Sequence, residues 1–312
     1  MSDFEAILKA YEKSGGNREF LKSPKIASLV ISGNKVLGVN RIPGLSVMAE
    51  SLPDGVQVHL TIDPGTKVEL PVHLCFGVIP AEGVQRILSD FEIGEEASVS
   101  FMAHCTFPNA VKVQHIMEGT IHVGKNATMR YEETHYHGET GGVVVLPKAQ
   151  VVVDEGGRYY SGFNLSKGRV GKMEFDYVVD VAADGVAELV ARAMGYGDDE
   201  IIVRETIRLN GENARGLAKS RVAVREHAHS EVIGITEGNA PAARGHMDCV
   251  EIVRDEAVAN AMPIVHVTNP QAQVTHEAAI GTVDKKELET LMSRGLDEEA
   301  AVDIIVRGML GE

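Results

Sequence analysis

The residues of this chain best suited to chemistry lie late in it. Gly245-His246-Met247-Asp248-Cys249 and His276-Glu277 gather soft, borderline and hard ligands in one strand-rich region. Thiolate suits iron–sulfide, while imidazole and carboxylate hold iron with room for exchange. A cysteine in a strand is equally a small core residue, and a His-Glu pair an ordinary surface pair, so both readings stand at this level. His135-Tyr136-His137 and His227-Ala228-His229-Ser230-Glu231 each alternate, so that on a strand the two imidazoles share a face and could chelate one metal. Their plain alternative is a solvent-facing polar stripe, and Glu139 follows His137 too soon for a cupin pattern. Cys75, between Leu74 and Phe76, reads as core, and Cys105 reads either as a contributing thiol or as a buried structural one. No Gly-x-x-x-x-Gly-Lys-Ser/Thr run occurs, so ATP hydrolysis by this chain alone is not expected.

Composition narrows the partners. The 45 acidic and 30 basic residues leave a formal charge of −15, which disfavours a phosphate-tracking nucleic-acid protein and an anionic membrane surface. Three cysteines, widely spaced and odd in number, do not make a disulfide framework and fit a reducing compartment. No apolar run approaches the roughly 18–20 residues of a membrane span, and the first residues are acidic where a signal peptide is basic. A cytoplasmic protein is expected.

The elements that must position these residues are mostly short strands. Residues 1–26 form a helical segment: Ser2-Asp3-Phe4-Glu5 carries the capping-box pattern, and Phe4, Ile7, Leu8 and Tyr11 fall on one face before Gly15-Gly16. Across 27–280 the pattern changes to alternating runs such as Val56–Ile62 and Lys67–Val72, punctuated by Gly, Asp, Asn and Pro. A turn followed by a small residue recurs at Gly124–Ala127, Glu155–Gly157, Ala183–Gly185, Gly211–Ala214 and Gly238–Ala240, and Asp255-Glu-Ala257 comes at about half that interval. Such self-similarity predicts a stacked coil, a β-solenoid, with a two-sheet sandwich as the alternative. Residues 281–312 return to helix: Asp284 is a cap, Leu288, Leu291 and Met292 share a face, Gly295 stops the first helix, and Asp297 starts a second bearing Ala301, Val302, Ile305, Val306 and Met309. This pair reads as a lid over the open end of the solenoid, as a docking surface, or as both.

Met262 to Ala278, with its proline-led strand, Asn269-Pro270 and His276-Glu277-Ala278, resembles the SufB/SufD family of iron–sulfur cluster assembly proteins. The Met292–Gly308 segment with its Arg294-Gly295-Leu296 turn, and the earlier His104–Pro108 and His122–Ala127 runs, resemble the same family. The resemblance implies a mainly β chain with a right-handed parallel β-helix core and terminal helices. It also implies pairing of two such cores, identical or paralogous, through their late strands, and docking of a SufC-type ABC ATPase on the C-terminal helices. Leu288, Leu291, Met292, Leu296, Val302 and Ile305 are the candidate docking residues. His276 and Glu277, with a late-strand cysteine, are implied to hold a transient iron–sulfur cluster, Cys105 being a further candidate. Counting back from Pro263 places the family's cysteine on Asp248, so either Asp248 is an oxygen ligand or Cys249 serves through a local shift; thiolate chemistry favours Cys249. The family's sulfur-accepting cysteine aligns near Val152 and Val153, where this chain has none, which puts a persulfide relay in doubt. The function implied is a non-catalytic scaffold coupled to a partner ATPase. The alternatives are a SufD-like stabiliser without a cluster and a polysaccharide-active β-helix, the latter disfavoured by the lack of Trp and 5% aromatic content.

Overall fold

Alternation of inward apolar and outward polar residues builds the body of the protein, whose computed structural model describes residues 2–311. In the Gly171–Val181 strand, Met173, Phe175, Tyr177, Val179 and Val181 are buried while Lys172, Glu174, Asp176 and Asp180 are not. From the Gly55–Ile62 strand onward successive strands land in opposite sheets, one of ten strands and one of nine, giving a β-solenoid of about 8 turns. Among these strands every pairing is parallel, with partners 28 to 31 residues apart, as in Gly55 with Arg86, Val143 with Val113, Lys172 with Glu200 and Glu200 with His229. The two sheets share one continuous apolar interior from Ala27 to Cys249. The sandwich alternative is thereby set aside.

The repeated turns are the corners of the coils. Glu96, Asn126, Gly156, Asp184, Asn213 and Ala242 all take positive φ at one corner. The amides of Glu96, Asn126, Gly156 and Asp184 donate to the carbonyls of Lys125, Glu155, Ala183 and Glu212 at 2.8–3.0 Å, so each turn is tied to the next. A small residue then enters the interior, where Ala97, Ala127, Ala214 and Ala243 are fully buried. The fifth unit therefore closes at Ala243 and not at Ala240. Asp255-Glu-Ala257 belongs to the opposite corner, stacked under Gly197 and Glu226. There the Glu226 amide donates to Asp255 Oδ2 at 3.1 Å and the Gly197 amide to Glu226 Oε2 at 2.8 Å.

Three expectations change. Lys67–Val72 is not a strand; its extended backbone meets only Ser98, and the strand proper begins at Val72 and runs to Gly77, because Pro71 offers no N–H to a ladder. At the start of the chain, α1 (Asp3–Lys13), capped by Ser2, is followed by an unanticipated short α2 (Arg18–Lys22), capped by Asn17. α1 buries Ile7, Leu8 and Tyr11 against Val30 and Cys75, so Cys75 lies in packing outside the solenoid interior. Finally, α3 (Lys285–Met292) and α4 (Glu298–Leu310) do not cover the end of the solenoid. Val302, Val306 and Leu310 of α4 pack on Met194, Ala223 and Ile252, on the outside of the ten-stranded sheet. The last strands, Val258–Val267 and Gln273–Gly281, have one hydrogen-bonded neighbour each and remain largely exposed.

Candidate functional site

The late strands sort the four expected ligands onto two faces. The Arg244–Val253 strand pairs in register with Gln273–Gly281, placing Met247 beside His276, Asp248 beside Glu277 and Cys249 beside Ala278. Paired residues in a parallel ladder point the same way and neighbours alternate, so Cys249 and His276 face inward and Asp248 and Glu277 outward. Cys249 is fully buried, whereas His276, one coil nearer the open end, is exposed. Asp248 is engaged: its Oδ2 accepts from Arg221 Nη2 at 2.5 Å and its carbonyl from Arg221 Nη1 at 3.1 Å. That guanidinium holds the Asp248 carboxyl below the usual range.

The interior around Cys249 is polar. Ser220 sits beside Cys249 in register and donates to Glu205 Oε2 at 2.7 Å, while Ser230 donates to Glu251 Oε2 at 2.5 Å. Glu205 and Glu251 are each 1% exposed, and Oε1 of each lacks a hydrogen-bond partner. Burial pushes both carboxyls up to about 7. Burial, together with the Glu251 and Glu205 carboxylates, pushes the Cys249 thiol up to about 12, so the undisturbed fold keeps it protonated. Glu251, two residues after Cys249, was legible as an inward position; Glu205 and Ser220 are brought there only by the stacking of coils.

A second polar cluster fills the middle of the solenoid. Cys105 pairs in register with His135, and His115 enters from the opposite sheet. Cys105, His115 and His135 each bring one ligand atom within 4.8 Å of the others, and all three are buried. His135 Nε2 lies 2.6 Å from Glu133 Oε1, which is 3.9 Å from Cys105 Sγ. His135 Nδ1 is 3.2 Å from His137 Nε2, and His137 Nδ1 is 3.3 Å from the Arg169 carbonyl. His135 and His137 thus share a face, as their spacing predicts, but that face is the interior and not a solvent stripe. Burial holds both His115 and His135 down to about 3. His227 and His229, by contrast, are exposed; His227 follows Glu226 in a corner, so the pair does not share a strand face. His115 and Glu133 escaped the sequence reading, although Glu133-x-His135-x-His137 alternates in one stripe.

At the flank, α3, α4 and the sheet beneath them enclose a largely apolar cavity of about 430 Å³, lined by Ala223, Ile252, Val283, Leu288, Val302 and Val306 among others. Arg225 bridges from the sheet to Glu299 at 3.3 Å and Asp303 at 3.8 Å. Of the six expected docking residues, Val302 is buried against the sheet, Leu288, Leu291, Leu296 and Ile305 are half-buried, and Met292 is exposed. Among the described residues no helix is long and apolar enough to cross a membrane.

A family model described as "SUF system FeS cluster assembly, SufBD core domain" matches residues 86–309. An iron-sulfur cluster assembly SufBD family protein of Methanocaldococcus jannaschii is 37% identical over 306 residues, covering 98% of this chain and 97% of the relative. One of Pyrococcus horikoshii is 34% identical over 312 residues, 100% of this chain and 95% of the relative. The iron-sulfur cluster assembly protein SufB of Bacillus subtilis is 25% identical over 258 residues, 80% of this chain and 54% of that protein.

Proposed function

Because the chain belongs to the SufB/SufD family, whose work is iron–sulfur cluster assembly, we propose that it is the scaffold on which a nascent cluster is held as cargo at the late end of the solenoid. Cys249 and His276 are the primary ligands, with Glu277 at the rim. The observation that carries this reading is that Cys249 and His276 share the inward face of adjacent strands, one coil from an end that none of the described residues covers. Thiolate with imidazole suits iron–sulfide. The Arg221 contact to Asp248 supports Cys249 over Asp248 as the ligand.

A second SufB/SufD-type chain completes the site. Val258–Val267 and Gln273–Gly281 each offer an unpaired edge, and Met262, Ile264, Val267 and Ile280 are 42–46% exposed beside them. Open edges with apolar side chains are what strand pairing with another chain covers. A SufC-type ABC ATPase docks on α3 and α4, and α4 bears on Ile252, three residues from Cys249 on the same strand. Movement of α4 is therefore passed to the strand that holds the thiol. ATP shifts the pair between sealed and open states only in so far as the ATPase binds the two with different affinity. Three free thiols agree with work in the cytoplasm.

Anaerobic reconstitution with iron and sulfide tests the ligand set. Cys249→Ser is expected to lose the cluster chromophore while Asp248→Asn keeps it; an unchanged spectrum and iron content in Cys249→Ser rules the ligand assignment out. A second reading, the SufD-like stabiliser, is favoured by the complete burial of Cys249. It predicts a colourless complex with the ATPase.

A further inference from the structure

The buried cluster in the middle coils has a hydrogen-bond logic of its own. His137 Nδ1 faces the Arg169 carbonyl, which can only accept, so that nitrogen donates, and the Nε2 of the neutral ring then presents a lone pair to His135. His135 consequently donates from Nδ1, and its own Nε2 offers a lone pair toward Glu133 Oε1 and Cys105. The carbonyl at one end of the chain of rings therefore fixes which atom is left free at the other. A lone pair 2.6 Å from a carboxylate oxygen requires something positive between them, a proton or a cation.

The surroundings repeat that demand. Neither ring nitrogen of the fully buried His115 has a partner, and Glu133, 2% exposed, leaves Oε2 without one. Phe107 and Phe163 pack against His135, and Phe107 also packs against His115, so these groups are enclosed by apolar rings. Each unpartnered buried polar group costs stability that an apolar residue in the same position would not. Sulfur, two imidazoles and a carboxylate form a borderline ligand set of the kind that holds zinc or ferrous iron. The ligand atoms of Cys105, His115 and His135 lie within 4.8 Å of one another, and Glu133 Oε1 is 2.6 Å from His135 Nε2 and 3.9 Å from Cys105 Sγ, so small side-chain shifts bring them onto bonds of about 2.0–2.3 Å.

We propose that Cys105, His115 and His135, with Glu133 as the fourth ligand, bind one divalent transition ion of borderline hardness inside the solenoid, at a site separate from the late-strand cluster site. His137 positions His135 by fixing its tautomer, the part that outer hydrogen-bond partners play around metal-bound imidazoles. The ligands are sealed on both sides by sheet, so the ion enters as the coils close during folding. Its role is to fasten the two sheets together at mid-solenoid.

The test uses the untagged full-length chain, unfolded anaerobically with chelator and reductant and refolded with Zn²⁺ or Co²⁺. One zinc per chain should survive desalting, and Cys105→Ser and His135→Gln should weaken retention by at least ~10-fold, while exposed His229→Gln has no effect. Cobalt should give tetrahedral visible bands and a thiolate charge-transfer band. That band persists in Cys249→Ser, which separates this site from the cluster site. Glu133→Gln, which preserves shape, covers the case in which the other variants do not fold and should alter the cobalt spectrum. Refolded chain that retains no zinc, or retention and spectrum indifferent to Cys105→Ser, His135→Gln and Glu133→Gln, overturns the proposal; an interior satisfied by water alone gives that result.

Discussion

Replacing Glu205 with Gln should stabilise the late coils, and the gain should depend on pH. Glu205 is 1% exposed, with one oxygen bonded to Ser220 and the other unpartnered, and burial moves its carboxyl from 4.5 to about 7. The folded state therefore holds the proton more tightly than the unfolded chain, and the unfolded chain binds fewer protons between those values. Stability contributed by this group is full below about 4.5 and is lost as pH rises through about 7. At 1.36 kcal/mol per pH unit the loss approaches about 3 kcal/mol at pH ~8, against under ~1 kcal/mol at pH ~5. Gln keeps the Ser220 contact and carries no charge, so its gain over the parent should be about 2–3 kcal/mol larger at the higher pH. Comparing the two proteins at each pH cancels every other titrating group. The assay is urea unfolding under reducing conditions, with native-state hydrogen exchange of the Glu200–Leu209 strand as a local readout, since coils couple mainly to their neighbours. A gain of the same size at both pH values would refute the reasoning that Glu205 is buried as a carboxylate at cost.

Other perturbations follow from the packing. Val306→Asp puts a charge where α4 meets Met194 and Ala223; it should cost at least about 2 kcal/mol of docking and expose residues 281–312 to protease, leaving the β signal of the solenoid intact. Protection of that segment equal to the parent's would contradict the docking. α1 is tied down through Tyr11 Oη to His73 Nδ1 at 2.8 Å and Ser14 Oγ to His104 Nδ1 at 2.7 Å. Burial lowers both imidazoles, His104 to about 4, so here the unfolded state binds more protons and docking, complete above about 6.5, fails as pH falls toward 4. Hydrogen exchange of α1 measured at pH ~4.5 and ~7 checks this, and equal protection at both would count against it. Met262→Lys on the open edge should reduce self-association or pairing with a paralogue, read by sedimentation, by placing a charge where two apolar edges meet.

Local signals in the sequence were enough for local structure. Ser2, Asp284 and Asp297 cap helices because an acceptor side chain beside free amides acts within one turn. Corner turns were visible because each needs a left-handed residue and then a small one. Composition alone does not distinguish Ala240 from Ala243 as the closing residue, whereas the register with Ala214 does. The stripe on α4 says that Val302 and Val306 are buried but not against what, and a lid and a flank make the same demand on it. The meeting of His115 with Cys105 and His135 depends on three strands drawn from both sheets, and that of Glu205 with Cys249 on the stacking of adjacent coils. Neither leaves a short-range trace. Cys249 and His276 could be assigned to one face only once the ladder fixed Met247 opposite His276.

The central claim is that the late end of the solenoid carries a cluster as cargo. Its most direct test is the iron and acid-labile sulfide content of the chain purified anaerobically together with its ABC ATPase partner, with Cys249→Ser prepared in parallel. A brown complex containing both iron and sulfide, and a Cys249→Ser complex of the same subunit composition that has lost both, is the predicted result. A parent complex free of sulfide, or a variant that retains iron and sulfide in full, would contradict it.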